Sequence, residues 1–165
     1  MLLFKRIFCL TLLLALGACG FQPLYGQQTQ SAEVIALLSA TYVMPIKSRT
    51  GQIIRNELLD RVTPKGIPAR PLYRLKVEID EESQSLAIDP DNSTNRKNLT
   101  LKGKYQLFGA DGKTVLFKST AQSISSYNIV TSDFANLSAE KNARKRSALV
   151  LAEKIHRQIS VYFTR

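Results

Sequence analysis

The sequence predicts an α+β fold: a two-layer sandwich in which a four-stranded, mostly antiparallel sheet carries two helices on one face, in the order β-α-β-β-β-α. Residues 72–80 and 99–108 alternate between apolar and polar side chains, as strands with one buried face do. Residues 49–62 and 138–163 instead place apolar side chains three or four positions apart, which is the spacing of an amphipathic helix. Both periods in one short chain indicate a single mixed domain.

The first 18 residues are not part of that domain. The chain has 165 residues and is 44% hydrophobic, which suits one domain with its own core. Its N-terminus, however, has the layout of a secretory signal peptide: Lys5 and Arg6, then an apolar run, then small residues before a cysteine. The apolar run is shorter than the about 20 residues that a membrane-spanning helix needs.

The stretch Leu-Gly-Ala-Cys that ends at Cys19 resembles the bacterial lipobox, whose cysteine is acylated and becomes the first residue. The alternatives are a plain signal peptide with an incidental cysteine or a buried N-terminal helix. The predicted organisation is a lipoprotein signal peptide in 1–18, the lipidated cysteine with a flexible tether in 19–32, and the folded domain in 33–165. Apart from a covalent lipid such as palmitate on Cys19, no cofactor is expected. Gly20 favours an outer-membrane, lipid-anchored, periplasm-facing protein, because inner-membrane lipoproteins often carry aspartate there.

The composition of the first element of the domain suits two types of secondary structure. Residues 33–46 are apolar and partly β-branched, and their length allows a helix or a strand. Their alternation near the end and the stop at Pro45 favour a strand. Residues 49–62 then form the first amphipathic helix, which Ser48 or Thr50 could cap.

Three strands and a helix follow. The polar segment 81–98 is interpreted as a loop, or as a strand extension that ends in a long hairpin tip. Residues 109–113 contain Asp-Gly and predict a tight hairpin into a returning strand over 114–129. The last helix covers 138–163 and begins at Ser138.

No motif in the chain predicts catalysis or metal binding. His156 is the only histidine, and no partner stands at the spacing of a metal site or a catalytic triad. The residues 89–92 faintly resemble a calcium loop but lack the required glycine and distal glutamate, so a solvated turn is preferred. The sequence therefore predicts a protein that is not an enzyme and holds no metal.

The positive charge is the most informative feature. Lys and Arg number 23 against 13 Asp and Glu, a net charge of +10. Nucleic acid is not an expected partner of a periplasmic lipoprotein, so the charge suits phosphorylated or carboxylated ligands, such as lipopolysaccharide and anionic lipids. The run 141–146 is interpreted as a solubilising surface. The candidate ligand-binding residues are the outward strand positions Arg74, Lys76, Lys102 and Lys104, with the loop residues Arg96 and Lys97.

Four stretches of the chain resemble LptE, the lipopolysaccharide-assembly lipoprotein family, in its alphaproteobacterial form. They are GACGFQPLYG at 17–26, PIKSRTGQIIRNELLDR at 45–61, YRLKV at 73–77, and the terminal helix. The Cys-Gly-Phe-x-Pro-Leu-Tyr part of the first stretch is the most specific, and together the four cover most of the mature chain.

The resemblance implies a non-enzymatic protein that plugs the lumen of the outer-membrane β-barrel LptD. Such proteins assist assembly of that barrel, help deliver lipopolysaccharide to the outer leaflet and bind lipopolysaccharide through basic residues. They also have a two-layer fold with helices on one side of a four-stranded sheet. The acyl anchor would hold the protein to outer-membrane lipid.

Two other classes of function stay open as alternatives. A free periplasm-facing lipoprotein without a barrel partner would capture a small ligand in an apolar pocket, which nothing in the sequence marks. A hydrolase would need a nucleophile with an activating base, and His156 is the only histidine available for that role.

Overall fold

The computed structural model of the chain describes residues 32–86 and 95–164, and the predicted signal peptide, Cys19, most of the tether and the turn at 89–92 lie outside these residues. The elements are α1 (Ala32–Ser39), β1 (Thr41–Val43), α2 (Arg49–Val62), β2 (Tyr73–Leu86), β3 (Asn95–Phe108), β4 (Val115–Ile129) and α3 (Asp133–Phe163). The four strands form one sheet in the order β1-β2-β3-β4, in which β1 is parallel to β2 and the other neighbours are antiparallel. The predicted α+β class and mostly antiparallel sheet are confirmed.

The prediction of a single strand over 33–46 is wrong. Residues Ala32–Ser39 form helix α1, and only Thr41–Val43 form a strand. Val34 and Leu38, one helical turn apart, are buried in the core of the domain. The described part of the chain therefore has three helices rather than two, because packing of this short apolar run against the core decides its conformation.

Strands β2 and β3 are longer than their alternating patterns. Much of the predicted loop 81–98 is paired strand: Ser83 lies opposite Leu99, and Gln84 lies opposite Asn98. The side chains of residues 82–85 are exposed, so backbone hydrogen bonds rather than burial extend this hairpin. The interpretation as a strand extension is the correct one for residues 81–86 and 95–98, and the predicted hairpin tip lies outside the described residues.

Helix α2 has the predicted bounds, whereas α3 begins earlier than predicted. The Oγ atom of Ser48 accepts a hydrogen bond of 3.1 Å from the backbone N–H of Gly51, so Ser48 caps α2. Ser132 caps α3 in the same way through the N–H of Ala135, and the helix therefore starts at Asp133, five residues before Ser138.

The core lies between the three helices and one face of the sheet. A side chain on Gly103 would crowd α3, since a Cβ atom there would lie 3.3 Å from Cδ2 of Leu151. Helix α3 therefore packs directly on β3 and β4. The opposite face of the sheet is open to solvent. The largest fully buried side chains include Ile54, Leu58, Leu75, Leu99, Leu101, Tyr105, Leu107, Leu151, Ile155 and Ile159.

One polar network joins the helices to the sheet. Glu81 of β2 accepts hydrogen bonds from Thr50 of α2 (3.1 Å) and from Nε of Arg144 of α3 (2.8 Å). Arg144 also pairs with Glu140. The hydrogen bond to Glu81 raises the pKa of the Arg144 guanidinium, which therefore stays charged. This network holds the middle of β2, at Glu81, against α2 and α3.

Gly51 is expected to resist substitution by alanine although it lies in a helix. A Cβ atom there would lie 2.7 Å from Cγ2 of Ile46, a buried residue, and 3.1 Å from its backbone carbonyl. We expect Gly51→Ala to lower the free energy of unfolding by about 1–3 kcal/mol through overpacking, despite the higher helix propensity of alanine. Urea denaturation measures the change, with Gln52→Ala on the exposed side of α2 as the near-neutral control. An unchanged or higher stability of Gly51→Ala would contradict this packing argument.

Candidate functional site

The open face of the sheet carries the even-numbered residues of β2, β3 and β4. Because β2 and β4 both pair with β3, these residues form rows across the sheet. The three rows nearest the β3–β4 turn that span all three strands are Lys76–Gln106–Lys118, Glu78–Lys104–Thr120 and Asp80–Lys102–Gln122.

Acidic residues of β2 pair with most of the lysines on this face. Nζ of Lys76 lies 2.8 Å from Glu78 on the same strand. Two diagonal pairs cross to β3: Lys104 with Asp80 at 3.2 Å and Lys102 with Glu82 at 3.6 Å. These side chains are about half exposed or more, and such pairs each contribute only about 0–1 kcal/mol to stability. Their main effect is to neutralise the middle of the face.

The charge of Glu78 is stabilised by its neighbour. The hydrogen bond from Lys76, followed by the positive charge of Lys76, lowers the pKa of the Glu78 carboxyl. Glu78 is therefore ionised at neutral pH and offsets the charge of Lys76. An anionic ligand would have to compete with this carboxylate for the lysine.

The end of the face next to the β3–β4 turn keeps its positive charge. Among the described residues, no acidic side chain lies within salt-bridge distance of Arg74 or Lys118. Lys118 lines a shallow groove of about 390 Å³ together with Lys76, Glu78, Lys104, Tyr105, Gln106, Ser119 and Thr120. Lys76 and Lys118 flank Gln106 from the two neighbouring strands, so their Cα atoms are about 10 Å apart. Two cations at this spacing suit a ligand with more than one phosphate or carboxylate.

The structure places the six predicted ligand-binding residues in three locations. Arg74, Lys76, Lys102 and Lys104 share the open face, as their strand positions predict. Arg96 is on the same face but lies about 20 Å along β3 from Lys102. Lys97 points to the opposite face and is partly buried.

Lys118 is a member of the groove that the sequence reasoning missed. It alternates with Phe117 and Ser119 of β4, whose side chains face the helices, so strand parity alone places Lys118 on the open face. Its position opposite Gln106 also depends on an irregularity in pairing at Leu107/Phe108, which shifts the register of β4 by one residue.

His156 lies on α3 away from this groove. The imidazole is partly buried, and among the described residues no group forms a hydrogen bond with its Nε2 atom. In the described part of the chain, no group of three or more His, Cys, Asp or Glu side chains is arranged to hold a metal ion. The open face is therefore the better candidate site.

We expect His156 to make the domain less stable in mild acid. Burial, followed by the charge of Arg61, lowers the imidazole pKa, and Glu153 opposes this only in part. The unfolded chain then binds the proton more readily, so stability falls as the pH drops below the ordinary pKa of about 6.5. Urea denaturation of the untagged protein between pH 7.5 and 5 should show this loss, and His156→Gln should reduce it. His156 is the only histidine, so an equal slope in both proteins would contradict the assignment.

No helix in the described ranges combines the length and apolar composition needed to cross a bilayer.

Solved lipoprotein structures have a similar fold. A proposed lipoprotein from Caulobacter crescentus CB15 aligns with a TM-score of 0.64 at 19% identity, covering 79% of this chain and 96% of that one. A minor lipoprotein from Acinetobacter baumannii aligns with a TM-score of 0.59 at 21% identity, covering 76% and 95%. The rare lipoprotein B from Shewanella oneidensis aligns with a TM-score of 0.52 at 11% identity, covering 74% and 94%. At these identities the likeness concerns the fold.

The sequence itself carries the family assignment. No match was found among curated proteins. The LptE family, described as lipopolysaccharide-assembly, matches residues 38–159, from the end of α1 into the last turns of α3. The match covers most of the chain, and the chain therefore belongs to LptE, a non-enzymatic family of lipopolysaccharide-assembly lipoproteins associated with the outer membrane.

Proposed function

We propose that this protein plugs an LptD-type outer-membrane barrel, assists its assembly and helps deliver lipopolysaccharide to the outer leaflet. The family match over residues 38–159 is the observation that carries the proposal. In this role the protein catalyses no reaction. It acts by occupying the barrel and by binding the transported lipid.

The surface of the domain suits the lumen of a large barrel. Such a lumen is polar, so a plug needs a hydrophilic surface rather than one large apolar patch. The open face of the sheet carries charged and amide side chains in its central rows. The exposed large apolar residues are spread over several elements, including Ile35, Ile67, Ile124 and Val161.

Lipopolysaccharide phosphates would bind at the end of the face next to the β3–β4 turn. Within the described part of the chain, Arg74 and Lys118 have no acidic partner there, and Lys76 and Lys104 line the adjoining groove. An anion in the groove would replace the weak, exposed pairs of these two lysines with charge-assisted hydrogen bonds. Lys102, Arg96 and Lys97 would contribute less, because Lys102 is paired and the other two lie far from the groove.

Acylation of Cys19 would anchor the protein to the periplasmic side of the outer membrane. More than one acyl chain gives stable anchoring. We expect Cys19→Ser to abolish incorporation of an alkyne-labelled palmitate fed to the cells, because the lipobox cysteine carries the acyl chains. Cys9→Ser is the matched control and should keep the label, since Cys9 leaves with the signal peptide. Label retained in Cys19→Ser would contradict the anchor assignment.

The plug is tested by purifying the tagged full chain from its own outer membrane in mild detergent. A large barrel protein recovered at equal stoichiometry, and still bound after size-exclusion chromatography, is the expected result. Recovery of the lipoprotein alone would overturn the plug proposal and favour a free periplasm-facing ligand-binding lipoprotein.

A further inference from the structure

Strand β4 forms one edge of the sheet, and its outer side is only partly covered. Nζ of Lys154 donates to the carbonyl oxygen of Gln122 (2.7 Å), and Nη2 of Arg146 donates to that of Ser126 (3.4 Å). Both donors belong to α3. Four residues of strand and eight residues of helix each span about 12–13 Å, so the two donors on α3 reach two outward carbonyls that lie four residues apart on β4. Such capping by basic side chains is a known way to protect a strand edge.

These two contacts also identify the direction of the other backbone groups. In an antiparallel pair, alternate residues turn both N–H and C=O away from the neighbouring strand. Because the carbonyl groups of Gln122 and Ser126 point away from β3, the backbone N–H and C=O groups of the other even-numbered residues of β4, including Lys118 and Thr120, point away from β3 as well. Within the ranges that the structure describes, no side chain or backbone group bonds the outer edge at these two residues.

A largely apolar groove adjoins this uncapped part of the edge. It has a volume of about 430 Å³ and lies between β4 and the last turns of α3, lined by Phe117, Ser119, Arg157, Gln158, Val161 and Tyr162. The rings of Phe117 and Tyr162 stack with centroids 5.0 Å apart and form one wall, while Val161 is half exposed at the rim. A strand added beside Lys118 and Thr120 would direct every second side chain over this groove.

The positive charge around the edge of β4 favours an added strand of negative charge. Lys118 is the only charged residue of β4, and Arg146, Lys154 and Arg157 follow the edge along α3, with Glu153 the acid paired to Arg157. A second copy would bring like charges together across a β4–β4 pair, so the charge disfavours a symmetric dimer. An incoming strand with acidic side chains would be attracted instead.

We propose that the edge of β4 at Lys118 and Thr120 is a docking site for an extended partner segment in which apolar and acidic residues alternate. The segment would add a fifth strand to the sheet by backbone hydrogen bonds, place apolar side chains in the groove beside Phe117 and Val161, and direct acidic side chains to the surrounding cations. This inference rests on the geometry of the edge and not on the barrel-plug proposal.

The test uses the full chain in mild detergent and a fluorescein-labelled nine-residue peptide in which valine alternates with glutamate. Fluorescence anisotropy should show at least about tenfold tighter binding than for a peptide in which valine alternates with lysine. Thr120→Pro removes the outward N–H without breaking the bonds to β3, and it should weaken binding of the glutamate peptide by about tenfold or more. Thr120→Val keeps the N–H and should bind like the unmodified protein.

A second variant tests the same docking site in case Thr120→Pro fails to fold. Val161→Glu places a negative charge at the exposed rim of the groove and should weaken the glutamate peptide while leaving the thermal unfolding curve unchanged. Equal binding of the two peptides, or unchanged binding by a folded Thr120→Pro or by Val161→Glu, would overturn the docking site.

Discussion

Replacing Arg74, Lys76 and Lys118 together by glutamate is expected to weaken binding of purified lipopolysaccharide by about tenfold or more. These cations surround the end of the open face that has excess positive charge, and Lys76 and Lys118 line its groove. A hydrogen bond to a charged group is worth about 1.5–3 kcal/mol, so even after a discount for solvent exposure the loss of several contacts exceeds one order of magnitude. Surface plasmon resonance on immobilised lipopolysaccharide measures the affinity.

The control variant separates a local site from general electrostatic attraction. Changing Lys65, Lys141 and Lys145 to glutamate alters the net charge equally at exposed positions outside the sheet. This control should keep most of the affinity. Equal losses in both triple variants would mean that net charge, and not the groove, attracts the lipid.

Single substitutions distinguish the paired lysines from the unpaired ones. Lys118→Glu should weaken binding more than Lys102→Glu, because Lys118 lines the groove and has no acidic partner among the residues that the structure describes, whereas Lys102 is paired with Glu82. The reverse order would move the site towards the middle of the sheet.

Truncating Leu151 to alanine is expected to lower the free energy of unfolding by about 3 kcal/mol. Leu151 is fully buried where α3 lies closest to the sheet, above Gly103. The loss combines the transfer free energy of the removed methyl groups with the cavity that they leave. Urea denaturation measures it, and Val150→Ala, on the exposed side of the same helix turn, should change the free energy by less than about 1 kcal/mol.

A double variant tests whether the contact between Leu151 and Gly103 limits the approach of α3. Gly103→Ala alone should be mildly destabilising, because its Cβ would lie 3.3 Å from Leu151 and 3.4 Å from Ile155. Combined with Leu151→Ala, the new methyl group occupies part of the cavity, so the two effects should be less than additive. Strict additivity would indicate that the two sites do not share this space.

The elements that the sequence predicted well are those whose pattern is complete within one segment. Helix α2 has the predicted bounds because the signals that set them are local: the apolar spacing, the cap at Ser48, and Pro64 and Gly66 just after the helix. The hairpin at 109–113 also forms as predicted: Gly112 adopts a φ of 67°, which glycine readily tolerates, and Asp111 accepts hydrogen bonds from the N–H groups of Lys113 and Thr114.

The errors lie where a distant contact overrides a weak local pattern. The segment 33–46 is apolar throughout, and burial of Val34 and Leu38 makes its first half a helix. The polar residues 82–86 form a strand because β3 supplies their hydrogen-bond partners from another part of the chain. A turn of helix before Ser138 forms because Ser132 caps it, although Phe134 and Leu137 remain exposed.

The sequence by itself determined the α+β class and the parity that puts Arg74, Lys76, Lys102 and Lys104 on one face. Only the tertiary structure decided which of these cations are neutralised by acidic side chains of β2. It also decided that Lys118 lines the same groove, and which part of the β4 edge has no side chain of α3 bonded to it. The physical reason is that periodicity is a property of a single segment. Charge pairing and strand edges depend on the register between segments that are distant in the chain.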